Sequence, residues 1–279
     1  MTADITRTVL RYYGGKAALA EWIIQHFPPH QSYLEPFCGG AAVLLRKAPA
    51  ALETINDLDG DVVAFFRAMR DQSDALIRAI ELTPFSREEV AAARITDDTL
   101  PDLERARRLY VRSWQTIHGA PTKQNSGWRV ERHPGSNNIG AWADTTHLWQ
   151  IAGRLRRVQI ERRDALEVIE RYGNPDCLVF ADPPYVTGTR GDNWAKRGYE
   201  HELTDSQHRD LAASLHKCPG MVVLAGYASP LYHDLYGDWL AVTHTSRKQS
   251  REDATETLWL NPAAASTVTQ RTLPLDLAA

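Results

Sequence analysis

Residues 32–59 read SYLEPFCGGAAVLLRKAPAALETINDLD, and the order of patterns within them decides the fold class. Ser32 to Phe37 is short and largely apolar and reads as a strand, Cys38-Gly39-Gly40 as a tight turn, and Ala41 to Ala48 as a helix stopped by Pro49. A second strand around Glu53 to Ile55 ends in Asn56-Asp57-Leu58-Asp59. The helix after it carries Val62, Phe65, Phe66 and Met69 on one face. Strand, turn, helix, strand, helix is the repeat of a largely parallel sheet covered by helices.

Working outward, a loop from Tyr12 to Lys16 precedes a helical stretch through Trp22, Ile23 and His26 that ends at Pro28-Pro29. Beyond Gly60 the alternation stops, and helical patterns cover Asp74 to Leu82, Arg87 to Arg94 and Leu103 to Gln115. Residues 127–142, GWRVERHPGSNNIGAW, place the turn signal His133-Pro134-Gly135-Ser136 between segments carrying Trp128, Val130, Ile139 and Trp142. This reads as a β-hairpin with basic residues near its tip, Trp128 and Trp142 forming its cross-strand pair. The sheet pattern resumes with strands at Val158 to Arg162 and Cys177 to Ala181, separated by a helix from Leu166 to Tyr172. Thr204 and Gln207 form a capping box for the next helix. A strand from Met221 to Ala225, a short helix near Tyr232 and two late strands, Leu240 to Thr245 and Thr257 to Leu260, complete the pattern.

With 279 residues and 43% apolar composition the chain can bury a sizeable core. No apolar run approaches the ~20 residues of a membrane span, and MTADITRTVLRYYGG lacks the apolar centre of a secretory signal, so we expect no membrane association and a cytoplasmic protein. Cys38, Cys177 and Cys218 are far apart and read as buried, reduced thiols. The ten histidines show no paired-ligand spacing, so no metal site is expected. A net charge of -3 argues against a protein that coats nucleic acid indiscriminately. Local charge differs: Glu104 to His133 holds seven basic residues (Arg105, Arg107, Arg108, Arg112, Lys123, Arg129, Arg132) against Glu104 and Glu131.

The chemistry concentrates in Asp182-Pro183-Pro184-Tyr185, at the C-terminal end of a buried strand, where open α/β sheets place their ligands. The exocyclic amine of adenine is a poor nucleophile because its lone pair is delocalised into the ring. A carboxylate and a proline carbonyl that accept its two hydrogens favour a more tetrahedral nitrogen. The two prolines keep the turn rigid, and Tyr185 can stack on the base. Phe37-Cys38-Gly39-Gly40 joins strand to helix with glycines that let a ligand approach the backbone. Asp57, about twenty residues on, is placed to accept from a ribose diol.

With these sites in order the chain resembles the Dam-like family of DNA adenine N6-methyltransferases over nearly its whole length. The family's motifs appear as Tyr12-Tyr13-Gly14-Gly15-Lys16, Glu35-Pro36-Phe37-Cys38-Gly39-Gly40, Asn56-Asp57 and Asp182 to Tyr185. Ala41 stands where the family often has a third glycine, and Ala165 where it has an aromatic. The resemblance implies a Rossmann-like methyltransferase sheet whose last two strands form an antiparallel edge, with an inserted, mainly helical target-recognition region carrying the hairpin. Residues 1–60 and 153–279 would form the catalytic region and 61–152 the insert. It implies S-adenosyl-L-methionine as cofactor, with Tyr12, Gly15, Lys16, Glu35, Pro36, Phe37, Gly39, Asn56, Asp57, Asp164 and Asp182 at its site. Asp164 would face the cofactor's adenine ring. Double-stranded DNA is the implied partner, contacted by Arg112, Lys123, Arg129, Arg132, Asn137 and Asn138, and a cognate restriction endonuclease is a second candidate partner. Two alternatives remain: a methyltransferase for cytosine N4, RNA or a protein amide, and a DNA-binding relative that has lost catalysis.

Overall fold

The computed structural model describes residues 5–12, 14–117, 119, 127–133, 135–186, 202–247 and 253–266. Strands β1 (Ser32–Glu35), β2 (Leu52–Asn56), β3 (Val158–Glu161), β4 (Cys177–Ala181), β5 (Met221–Gly226), β6 (Leu240–Arg247) and β7 (Asp253–Leu260) form one sheet in the order β3-β2-β1-β4-β5-β7-β6. The first five run parallel, and β7 lies antiparallel between β5 and β6. This is the Rossmann-like α/β sheet with an antiparallel edge. From β1 the chain steps outward to β2 and β3 and then returns to β4 on β1's other side. The strand order therefore reverses between β1 and β4, which opens a crevice beyond their C-terminal ends.

The helices are α1 (Ala20–Gln25), α2 (Ala42–Arg46), α3 (Gly60–Asp71), α4 (Ser73–Glu81), α5 (Arg87–Ala93), α6 (Asp102–Gln115), α7 (Asn138–Ala143), α8 (Thr146–Leu155), α9 (Ala165–Tyr172), α10 (Asp205–Lys217) and α11 (Pro230–Tyr236). Strand β4 is buried along its whole length, and its alternation separates two apolar layers. Leu178 and Phe180 face the layer that includes Phe65, Tyr110 and Ile151, while Cys177, Val179 and Ala181 face the one with Ile169, Leu215 and Trp259. Of the cysteines, Cys38 and Cys177 are buried and Cys218 is half-buried; all three are free.

Helices α3 to α8 occupy the connection from β2 to β3. Asp59 caps α3 by accepting from the N–H groups of Asp61 (2.8 Å) and Val62 (3.4 Å). Asp61 then accepts from Arg105 Nε (2.8 Å) and Arg112 Nη2 (2.6 Å), binding α3 to α6. Helix α8, which the sequence reading passed over, buries Leu148, Ile151, Ala152 and Leu155 at helical spacing. Its Arg154 reaches Glu53 on β2, whose carboxylate also takes the Lys47 ammonium at 2.6 Å.

The expected hairpin does not form. Trp128 pairs instead with Thr116 in an isolated antiparallel bridge, and Ile139 and Trp142 lie on α7. The spacing explains the difference: Trp128 and Val130 are two apart, as on a strand, whereas Ile139 and Trp142 are three apart, as on a helix. The two tryptophans do not form a cross-strand pair; each packs on Phe85, with ring centroids at 5.8 and 6.4 Å. Pro134 of the expected turn lies outside the described residues.

Candidate active site

A cavity of about 480 Å³ opens beyond the C-terminal ends of β1, β2 and β4. Its size falls within the range of small-molecule sites. All eleven residues expected at the cofactor site line it: Tyr12, Gly15, Lys16, Glu35, Pro36, Phe37, Gly39, Asn56, Asp57, Asp164 and Asp182. Tyr13 of the first motif lies outside the described residues. Of the tetrapeptide, Asp182 and Pro184 line the cavity; Pro183, buried, and Tyr185, half-buried, are not part of the lining.

The turn after β1 is held by backbone and carboxylate together. The Cys38 N–H donates to the Asn56 carbonyl at 2.9 Å, and the Leu44 N–H donates to Glu35 Oε1 at 2.7 Å. Gly39 has a φ of +47°, and a Cβ there would stand 2.7 Å from Cε1 of Tyr12. Glycine is thus required both for the left-handed backbone and for the close approach of the Tyr12 ring. Ala41, at φ 48° and ψ 35°, adopts the left-handed conformation that a third glycine would have taken without strain.

Each acid at the cavity has a defined environment. Asp57 Oδ2 accepts from the Gly39 N–H (2.8 Å) and Oδ1 from the Asp59 N–H (3.0 Å), yet burial pushes its carboxyl up to about 6. Burial likewise pushes Glu35 up to about 7, although the Tyr33 hydroxyl donates to it at 2.6 Å. Asp164 accepts from the Leu166 N–H at 2.8 Å, capping α9. Asn56 lines the cavity, but its amide is spent on the walls: Nδ2 donates to the Pro36 and Arg163 carbonyls, and Oδ1 accepts from the Arg163 N–H at 2.9 Å. It sutures the ends of β1, β2 and β3.

At the tetrapeptide, Asp182 Oδ1 lies 2.8 Å from Nζ of Lys16, which is buried to 6% exposure. Burial raises the Asp182 carboxyl above the ordinary aspartate range, and the Lys16 ammonium opposes the rise. The same ammonium stands 4.7 Å from the centroid of the Tyr185 ring. The Tyr185 hydroxyl donates to Glu256 Oε2 at 2.7 Å.

Sequence reasoning did not anticipate Leu58, Arg163, Leu203, Gln207 and Asp210 in the cavity lining. The last three flank or begin α10, and no motif marks them; the Thr204 to Gln207 capping box located the helix but not its proximity to the site. Among the described residues no group of three or more His, Cys, Asp or Glu is placed to hold a metal ion, and no helix is long and apolar enough to cross a membrane.

The residues expected to contact DNA divide. Arg112 is withdrawn from that set: its guanidinium is committed to Asp61 (2.6 Å) and to the Ala93 carbonyl (2.7 Å), so its charge is neutralised inside the fold. Arg129 donates to the Thr116 and Ile117 carbonyls at 3.1 and 2.6 Å and, at 3.4 Å, to Asn138 Oδ1. Arg132 and Asn137 are exposed, and Lys123 lies outside the described residues.

The family of D12 class N6 adenine-specific DNA methyltransferases matches residues 12–114, a stretch that holds the first three motifs but not Asp182 to Tyr185. A DNA N-6-adenine-methyltransferase of Escherichia phage P1 is 24% identical over 252 residues, covering 85% of this chain and 32% of that one. The chain thus spans about a third of the phage protein's length. A type II methyltransferase of Lactococcus lactis subsp. cremoris is 25% identical over 275 residues, covering 91% of this chain and 95% of that one. A type II methyltransferase of Methanocaldococcus jannaschii is 26% identical over 203 residues, covering 63% and 68%. The motif order and the sheet that carries it agree with these likenesses, and the chain is similar to the D12 class N6 adenine-specific DNA methyltransferases over the stretch that holds its first three motifs.

Proposed function

We propose that this chain transfers a methyl group from S-adenosyl-L-methionine to N6 of an adenine extruded from duplex DNA. One observation carries the reading: Asp182 and Pro184 open from the end of β4 into the same cavity that holds the Gly39 turn and Asp57. The residues present fit the cofactor. Gly39 lets the Tyr12 ring close against the turn, where a Cβ would collide with it, and Asp57 presents a carboxylate already oriented by two backbone N–H groups for a diol. When bound, S-adenosyl-L-methionine supplies a methyl group made electrophilic by its sulfonium.

Asp182 and a proline carbonyl of the Pro183-Pro184 turn are the proposed acceptors for the two N6 hydrogens. They direct the nitrogen lone pair into the cavity and stabilise the charge that develops on N6 as it attacks in line. Asp182 must be ionised to accept, and Lys16 favours that state. Tyr185 provides the stacking face for the extruded base.

Target recognition is assigned to residues 61–152, where Arg129, Arg132, Asn137 and Asn138 are the described candidates for DNA contact. A DNA substrate puts the enzyme's work in the cytoplasm. A cognate restriction endonuclease is the candidate protein partner, a reading supported by the type II designation of two relatives.

The test is purified protein with methyl-labelled cofactor, offered duplex DNA, RNA and protein, followed by nucleoside analysis. Label in N6-methyladenine of duplex DNA is expected. Label confined to N4-methylcytosine, RNA or protein would sink the proposal.

A further inference from the structure

Glu256 lies outside the cavity lining, yet it touches the tetrapeptide. It owes its place to the reversed strand. Because β7 runs antiparallel to β5, its N-terminal half lies at the C-terminal end of the parallel strands, where Thr257 pairs with Gly226. Glu256, one residue before, there accepts from the Tyr185 hydroxyl at 2.7 Å. Tyr227, the residue after Gly226, sets its ring against Tyr185 at 4.7 Å between centroids and 74° between planes. Lys16 Nζ stands 4.7 Å from the ring centroid. The Tyr185 ring is therefore held at its body by two contacts and at its far end by the bond to Glu256, with the Asp182 carboxylate also in hydrogen-bonding reach of the hydroxyl.

A second carboxylate at this place has a cost. Glu256 repels Asp182 and adds to the rise that burial already imposes on it. A bond that only anchored the loop would be served by a neutral acceptor. The anion makes the strongest acceptor for a phenol and ties the hydroxyl in one position. A ring ordered in the folded protein loses no further freedom when a base stacks on it, so the acceptor complex forms in the reactive geometry.

We propose that Glu256 is a positioning residue for methyl transfer, holding the Tyr185 hydroxyl so that the ring is set against the acceptor base before that base arrives. This rests on reading the Asp182 to Tyr185 loop as the acceptor site. Glu256 lies outside the cavity lining; its positioning role runs through Tyr185, and its direct effect on Asp182 is the opposing repulsion.

The test compares wild type with Glu256→Ala, Glu256→Gln, Tyr185→Phe and the double variant Tyr185→Phe/Glu256→Ala. The substrate is duplex DNA carrying the sequence that the wild type methylates. Losing a hydrogen bond to a charged acceptor predicts a kcat lower by about 10- to 100-fold for Glu256→Ala, with cofactor affinity by calorimetry unchanged. Tyr185→Phe, which also removes the hydroxyl's hydrogen bond with Asp182, should fall at least as far, and the double variant no further than Tyr185→Phe. Glu256→Gln, whose neutral amide oxygen still accepts but more weakly, should fall between wild type and Glu256→Ala. With 2-aminopurine in place of the target adenine, Glu256→Ala should give brighter emission in the complex, because a loosened ring quenches the extruded base less. The inference is overturned by a wild-type kcat in Glu256→Ala or in Tyr185→Phe, by losses that multiply in the double variant, or by unchanged 2-aminopurine emission. Should Glu256→Ala fail to fold, Tyr185→Phe and Glu256→Gln decide by the same criteria. Absence of N6-methyladenine with the wild type overturns the acceptor-site reading and this inference with it. Wild-type methylation beside an indifferent Glu256→Ala overturns the inference alone.

Discussion

At the scale of single residues, the cavity holds three carboxyl groups, those of Glu35, Asp57 and Asp182, whose burial works against their ionisation. Burial pushes Asp57 up to about 6, and only its ionised form accepts from both hydroxyls of a diol. Protonation therefore removes an acceptor, and the cofactor dissociation constant should rise as pH falls through about 6, an expectation that calorimetry across pH 5 to 8 checks. Asp57→Ala should weaken cofactor binding by about 1.5 to 3 kcal/mol and abolish that pH dependence. At Asp182 the sign runs through Lys16. Burial raises the carboxyl and the ammonium at 2.8 Å lowers it, so removing the ammonium leaves burial unopposed. Lys16→Met should move the acid limb of the kcat profile to higher pH, because the active ionised form is then lost earlier on acidification. A lower kcat with an unmoved acid limb would show that Lys16 does not govern Asp182.

At the scale of elements, what holds the sheet to its long connection is a buried ionic cluster rather than a hydrophobic seam alone. Glu53 on β2, 2% exposed, is shared by Lys47 after α2 and Arg154 from α8. Glu53→Ala would leave two cations without their anion in the interior and should destabilise the fold by about 3 to 5 kcal/mol, read as a lower midpoint in thermal or urea unfolding. A midpoint within experimental error of wild type would mean that the cations relax to solvent. This cluster was not legible in the sequence, because Arg154 is brought to Glu53 and Lys47 only by the crossover. Strands β4 and β5 were legible because their residues are apolar on both faces, and Cys177 to Ala181 ends in the turn that begins at Asp182. Residues 127–142 misled because His133 to Ser136 is a true turn signal and sits between segments of different period, extended at Trp128 and helical at Ile139 to Trp142. The site residues were legible wherever a motif ties them to a strand end. Leu203, Gln207 and Asp210 were not, since their nearness to the cavity depends on how α10 packs.

At the scale of the whole molecule, charge that looks like a nucleic-acid surface in the sequence is largely internal wiring. In α6, Arg105 pairs with Asp61 and Asp98, Arg107 with Glu89 and Glu104, Arg108 with Glu104, and Arg112 with Asp61. These arginines hold α3, α5 and α6 together, and their charge is balanced within a few ångströms. Arg132 is exposed, and neither it nor Arg129 has a carboxylate partner among the described residues. Arg129 also donates to two backbone carbonyls and so carries a structural duty that Arg132 does not. The three positions should therefore separate in one experiment that measures thermal stability and DNA affinity over a range of salt. Arg107→Ala should lower the melting temperature and leave the salt dependence of DNA binding unchanged, because no phosphate contact is lost. Arg132→Ala should leave the melting temperature unchanged and, if it meets a phosphate, reduce the salt slope by about 1. If it reads a base, it should instead cost about 1 to 3 kcal/mol at the preferred sequence alone. Arg129→Ala should do both, losing stability through the freed Thr116 and Ile117 carbonyls and affinity through the lost charge. A salt slope that falls for Arg107→Ala and holds for Arg132→Ala would move the DNA interface back to α6 and require its ion pairs to open on binding.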